Sequence, residues 1–177
     1  MSSIITPKPT YRAATAALLV AVVTDDVPWF VLGGITGKRI QLQQIRISCP
    51  TLTSAEMLRI GLQKYSTATT AGTKTDLVKV PMEKGHPAST ASICGVYTAA
   101  PTAGTLIGNI AVRRVMALTA TPVATDSRPD VVFDFRSQGE TGAPTLDLTA
   151  ENLGLVFLGA DAGSAVTVML EVEWTEA

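Results

Sequence analysis

Helix breakers are spread so evenly through this 177-residue chain that few long helices fit between them. Ten Pro and fourteen Gly leave Thr10–Val27 as the longest stretch with neither. Between the breakers lie short segments rich in Val, Ile, Leu and Thr, many of them alternating apolar and polar. Short alternating segments divided by regular turn signals are the pattern of an all-β sandwich or barrel. A single domain is expected at this length.

The last segment shows the alternation most clearly. Val166, Val168, Leu170, Val172 and Trp174 share one parity, and Thr167, Met169, Glu171, Glu173 and Thr175 the other. Period two sends the first set inward and most of the charge outward. Leu58, Ile60 and Leu62 repeat the pattern, as do Val78, Val80 and Met82, and Val131, Phe133 and Phe135. In Lys38–Cys49 the phase changes. Ile40 and Leu42 are even, whereas Ile45, Ile47 and Cys49 are odd, so one extra residue at Gln43-Gln44 is needed to keep all five inward. That is the signature of a β-bulge.

The expected strands are 11–23, 27–32, 38–49, 56–65, 76–82, 91–98, 105–118, 130–135, 153–158 and 165–174, with one short helix near Ser54–Leu58 capped by Ser54. Strands in this number suit two packed sheets, and a jelly roll is a common solution. The apolar run Ala13–Val23 is shorter than a bilayer span and is followed by Thr24-Asp25-Asp26 rather than a cleavage site, so it reads as a buried strand, not a leader. Met1–Thr10 reads as an extended arm ahead of a sandwich domain over 11–177. Pro7 and Pro9 stiffen the arm, and the apolar pair Ile4-Ile5 suits contact with a neighbouring subunit.

Net charge is −1, and no basic footprint for nucleic acid or membrane stands out. The distribution is uneven: residues 1–125 carry 12 basic and 5 acidic groups, residues 126–177 carry 2 and 10. In a sandwich late strands pair with early ones, so these charges can cancel within the fold. If they do not, one end of the molecule is acidic.

The residues offer little for catalysis. His86 is the single imidazole and lies in the loop Glu83-Lys84-Gly85-His86-Pro87, where an exposed position is expected. Gly33-Gly34-Ile35-Thr36-Gly37-Lys38-Arg39 glances at a phosphate loop. Yet it has three residues between Gly33 and Gly37 instead of four, and Arg39 where Ser or Thr belongs. Asp25-Asp26 and Glu171/Glu173 are the carboxylate pairs, one in a turn and one on a strand face, and neither suggests a glycosidase cleft. Cys49 and Cys94 read as two small buried hydrophobes, with pairing as the alternative. No catalytic residue, cofactor or metal site is expected. Trp174 lies on the core parity. Trp29, after Pro28 at a strand start, reads as a surface aromatic, and Tyr11 and Tyr65 are the other candidates for exposed rings.

Several segments carry a resemblance. Lys64–Ala68 through Gly72-Thr73, His86–Ala91, Tyr97–Thr102, Gly104–Ile110, the Lys38–Ser48 strand and the closing Leu170–Glu176 together resemble parts of small virion structural proteins of tailed bacteriophages. The resemblance spans about residues 27–176 and carries over no functional residue. It implies a non-enzymatic jelly-roll capsid decoration or cement protein, forming homo-oligomers on the assembled head and made in the host bacterial cytoplasm. Its partners would be the major capsid protein or other virion proteins, with no direct nucleic-acid or membrane contact. A tail, collar or fibre component is the alternative within the class. A carbohydrate-binding host-recognition module is the alternative outside it, and needs exposed aromatics. The expected subunit interface comprises Ile4, Ile5, Pro7, Pro9, Tyr11 and Trp29.

Overall fold

A computed structural model describes residues 8–16, 18–20, 26–52, 56–119, 130–138, 142–159 and 165–177. Within them run β1 (Thr10–Ala14), β2 (Leu18–Val20), β3 (Phe30–Gly33), β4 (Ile40–Leu52), β5 (Glu56–Tyr65), β6 (Lys74–Asp76) and β7 (Val80–Pro81). They are followed by β8 (Ile93–Tyr97), β9 (Leu106–Thr119), β10 (Asp130–Asp134), β11 (Thr145–Leu146), β12 (Asn152–Phe157) and β13 (Val166–Glu176).

The strands form the two sheets of a β-sandwich. One has the order β6-β8-β3-β12-β5-β9. The other runs β7-β1-β13-β4, with β10 and β11 on the far side of β4 and β2 extending the β1 side of β13. Pairing is antiparallel except where Thr51-Leu52 of β4 meets Leu118-Thr119 of β9 in parallel and joins the sheets at one corner. On the opposite flank residues 77–79 carry the chain from β6 in one sheet to β7 in the other.

Alternation decides what lies between the sheets. Val166, Val168, Leu170, Val172 and Trp174 are buried, and so are Leu58, Ile60 and Leu62, and Val131, Phe133 and Phe135. Two aromatic stacks anchor the interior: Trp29 on Phe157 with ring centroids 5.6 Å apart, and Tyr11 on Trp174 at 5.9 Å. The bulge falls where the phase change places it. Glu173 pairs with Gln44 and Trp174 with Leu42, leaving Gln43 as the extra residue, and Ile40, Leu42, Ile45 and Ile47 all face the core.

The uneven charge also cancels across the sheets. Arg12 pairs with Glu173 at 2.9 Å, Arg39 with Asp147 at 3.0 Å, Arg46 with Asp130 at 3.3 Å and Lys64 with Glu151 at 3.1 Å. Each joins an early cation to a late carboxylate, as antiparallel pairing of the chain ends requires.

Four expectations fail. The segment expected as a helix near Ser54–Leu58 enters β5 at Glu56, because its apolar residues are needed on a sheet face. Val78, Val80 and Met82 alternate, but all three are exposed: only Val80-Pro81 pairs, and the segment crosses between sheets instead of lying in one. The expected strand 11–23 breaks at Thr15-Ala16 into β1 and β2, while residues 17 and 21–25 lie outside the described residues. β4 does not stop at Cys49 but continues through Pro50. A second register shift between Thr167 and Met169 falls opposite this point, and a bulge is where a strand tolerates proline. The short β11 and the 3-10 turn Arg136–Gln138 carry no period-two pattern and were not expected.

Candidate functional site

Of the six residues expected at a subunit interface, three are described. Ile4, Ile5 and Pro7 lie outside the described residues. Pro9 is partly buried, and its carbonyl accepts the Glu176 N–H at 3.0 Å. Tyr11 is buried, and its hydroxyl donates to the Pro87 carbonyl at 3.0 Å. Trp29 is fully buried, contrary to its reading as a surface aromatic. Pro28 turns the chain so that the indole points inward, its backbone N–H donates to Leu155 and its carbonyl accepts from Tyr97. Tyr65 is buried too, donating to Gln63 Oε1. None of these rings can serve as an exposed sugar platform.

The buried polar groups are structural ties. Glu176, 3% exposed at the end of β13, accepts from Trp174 Nε1 at 3.0 Å, Thr90 N at 2.9 Å, Thr90 Oγ1 at 2.6 Å, Ala91 N at 3.3 Å and the Ser89 hydroxyl. Burial pushes its carboxyl upward, but the bonds from Ser89, Thr90 and Trp174 outweigh this and hold it below the ordinary glutamate value. Its work is to pin the loop before β8 onto the opposite sheet. Gln63 Nε2 spans Asp26 and Asn109, each at 3.0 Å, and closes the end of the β5–β9 pair.

Nucleophilic and basic groups are poorly placed for chemistry. Burial drives the Cys94 thiol up to about 12, with Lys79 opposing and Asp76 adding to the shift, and the residue carries a free thiol. His86 is more enclosed than a loop position suggests: its side chain is 18% exposed and lies 3.4 Å from Glu83. Among the described residues no group of three His, Cys, Asp or Glu is placed to hold a metal, and no helix is long and apolar enough to cross a membrane.

What the surface does offer is β9. Fourteen residues long, it pairs with β5 on one side, yet joins β4 on the other only through Leu118 and Thr119. Along Leu106–Ala117 no described strand covers that second edge. Among the described residues the backbone N–H and C=O groups along it have no ladder partner, and such edges are templates for another strand. The side chains are unusual for an unpaired edge. Leu106 is 47% exposed, Ile107 58%, and Ile110, Val112 and Met116 more than a third, with Met57 of β5 beside Met116. Register with β5 is unbroken from Ala111 to Ala117, and β9 carries an extra residue at Ile110 and at Ile107. The regular half also holds Arg113 and Arg114. Arg114 lies directly opposite Arg59, next to a shallow cleft of about 370 Å³ lined by Glu56, Met57, Arg59 and Arg114. Arg113 points to the other face and sits over the Phe133 ring at 5.7 Å.

Sequence reasoning missed this edge. Leu106, Ile107, Ile110 and Val112 occupy both parities, which reads as a strand buried on both faces. Only Arg113-Arg114 in the same run hinted at solvent on both faces. Compared with protein-family models, with curated proteins and with solved structures, the chain finds no match.

Proposed function

We propose that this chain is a non-enzymatic structural protein of a tailed-bacteriophage virion, binding the assembled head and stabilising it as a decoration protein. The observation that carries an assembly role is the β9 edge that no described strand pairs, with apolar side chains exposed along it. Soluble monomers guard such edges, and strand addition across them is a common way for proteins to dock. The virion setting rests on the resemblance of the segments given above. One of them, Gly104–Ile110, leads into and includes the start of β9.

Repetition of one docking contact over a capsid lattice would let a modest single contact hold. A tail, collar or fibre position uses the same surface and remains the alternative within the class. A host-glycan module is disfavoured because Tyr11, Trp29 and Tyr65 are all core residues. The test is to purify virions of a phage encoding the chain on a density gradient and label them with an antibody to it. Label over the head is expected. Label confined to the tail supports the alternative, and virions free of the chain overturn the reading.

A further inference from the structure

We infer that the regular half of the β9 edge, Ala111–Ala117, docks an extended segment of a partner protein that bears adjacent carboxylates flanked by apolar residues. The inference deepens the reading of the chain as an assembly protein and rests on it for biological setting, but not for its chemistry.

Charge complementarity selects the occupant. Arg12, Arg39, Arg46 and Arg136 each hold a carboxylate at 3.3 Å or less. Among the described residues Arg113 and Arg114 hold none, and they are adjacent on the strand with the open edge. A carboxylate laid beside Arg114 places an acceptor against a planar donor fork.

Strand geometry then sets the partner's pattern. Successive side chains point to opposite faces, so an added strand meets Arg114 on one face and Arg113 on the other. Two consecutive acidic residues satisfy both. On the Arg114 face the neighbours two residues away are Val112 and Met116, with Met57 beyond, so the partner's flanking residues on that face are apolar. The backbone of β9 supplies the ladder, because its register is straight only here. The extra residues at Ile107 and Ile110 twist the earlier half away from a regular pairing.

The probe is a blocked, fluorescently labelled heptapeptide of alternating Val and Thr with two adjacent central Glu, read by anisotropy against the full chain in low salt. Three controls accompany it: the same peptide with Gln for Glu, the same peptide with alternate backbone nitrogens methylated, and a short single-stranded oligonucleotide. Two charge-assisted contacts at a partly exposed edge set the expected preference for Glu over Gln at about tenfold. Methylation should abolish binding, since it keeps the charges and removes the ladder donors. Arg114→Glu should weaken the Glu peptide and favour a Lys counterpart, with an unchanged melting temperature showing that the variant is folded. Arg113→Glu/Arg114→Glu should do so more strongly.

Equal binding of the Gln peptide overturns the charge argument, and equal binding of the methylated peptide overturns strand addition. Tighter binding of the oligonucleotide at the same arginines, or no binding of the Glu peptide at millimolar concentration, overturns the proposal. Failure of the peptide with label present on virions sinks this inference alone. Peptide binding with virions free of the chain sinks the virion reading alone.

Discussion

Glu176 gives the sharpest test of how this sandwich is held. Its buried carboxylate joins β13 to the loop before β8 by accepting from Ser89, Thr90, Ala91 and the Trp174 indole. Replacing it with Ala leaves the Trp174 indole N–H and the Ala91 backbone N–H, both on buried residues, without their acceptor. Each unsatisfied buried donor costs about 1–3 kcal/mol. These donors share one acceptor group and are not independent, so about 3–4 kcal/mol in total is the working figure. For a domain of this size that is a fall in Tm of roughly 8–15 °C. Glu176→Gln keeps one oxygen but turns an amide N–H₂ toward donors, and should lose about half as much. The carboxyl is held below its ordinary value, so its stabilisation is complete above the unfolded glutamate pKa of about 4.3 and is lost as pH falls through the lower folded value. Urea unfolding followed by Trp fluorescence at pH 7 and at pH 3 measures both effects. The wild type should lose more stability than Glu176→Gln between the two pH values. A loss below about 1 kcal/mol for Glu176→Ala at pH 7, or equal pH slopes for the two proteins, would refute the clamp.

Trp174→Ala removes a fully buried indole stacked on Tyr11 and should cost about 3–5 kcal/mol in the same assay. Cys94, in a Cys49→Ser background, should resist alkylation at pH 8 in the native protein and react fully in urea, because its thiol is buried and held near 12. Gly104→Val should unfold the Thr67–Thr105 contact and lower Tm, since a Cβ there runs into the Thr67 carbonyl, whereas Gly85→Asn should be nearly neutral: its φ of +96° is a strain Asn bears best, and nothing crowds the position.

The parts of the fold legible in sequence are those where one physical constraint acts alone. β13 has a buried face and an outer face, so period two is unopposed and its five inward residues were named correctly. The bulge at Gln43 was legible for the same reason: two apolar sets out of phase on one strand have no other resolution that keeps both buried. The failures occur where two constraints compete. Val78, Val80 and Met82 alternate as a strand does, but three residues must cross between the sheets at that point, and connectivity wins over pattern. Trp29 was misplaced because a proline before an aromatic marks a turn without saying to which side the ring goes. The hydrogen bonds of its backbone to Leu155 and Tyr97 decide that, and both partners are distant in sequence.

The open edge escapes sequence reasoning for a deeper reason. Hydrophobic pattern reports which side chains would gain by leaving water, not which have a partner to leave it with. In β9 the apolar residues on both parities state a demand that the described fold does not meet, and the same pattern in β12 is met by β3 and β5 on either side. β12 is buried at every position, while β9, of similar composition, is exposed at most of its first eleven. The difference lies in neighbour order, set by where β4 and β9 meet at Thr51 and Leu118 and diverge thereafter. An unmet demand of this kind is stable in evolution only if it is met in the working state by another chain, or if repulsion keeps copies apart. Arg113 and Arg114 supply the repulsion between like copies, and the same two charges supply the attraction toward an acidic strand. A variant with both arginines replaced by Thr should therefore self-associate as concentration rises. Sedimentation velocity checks this directly: a monomer at every concentration for both proteins would show that the edge is guarded by something other than its charge.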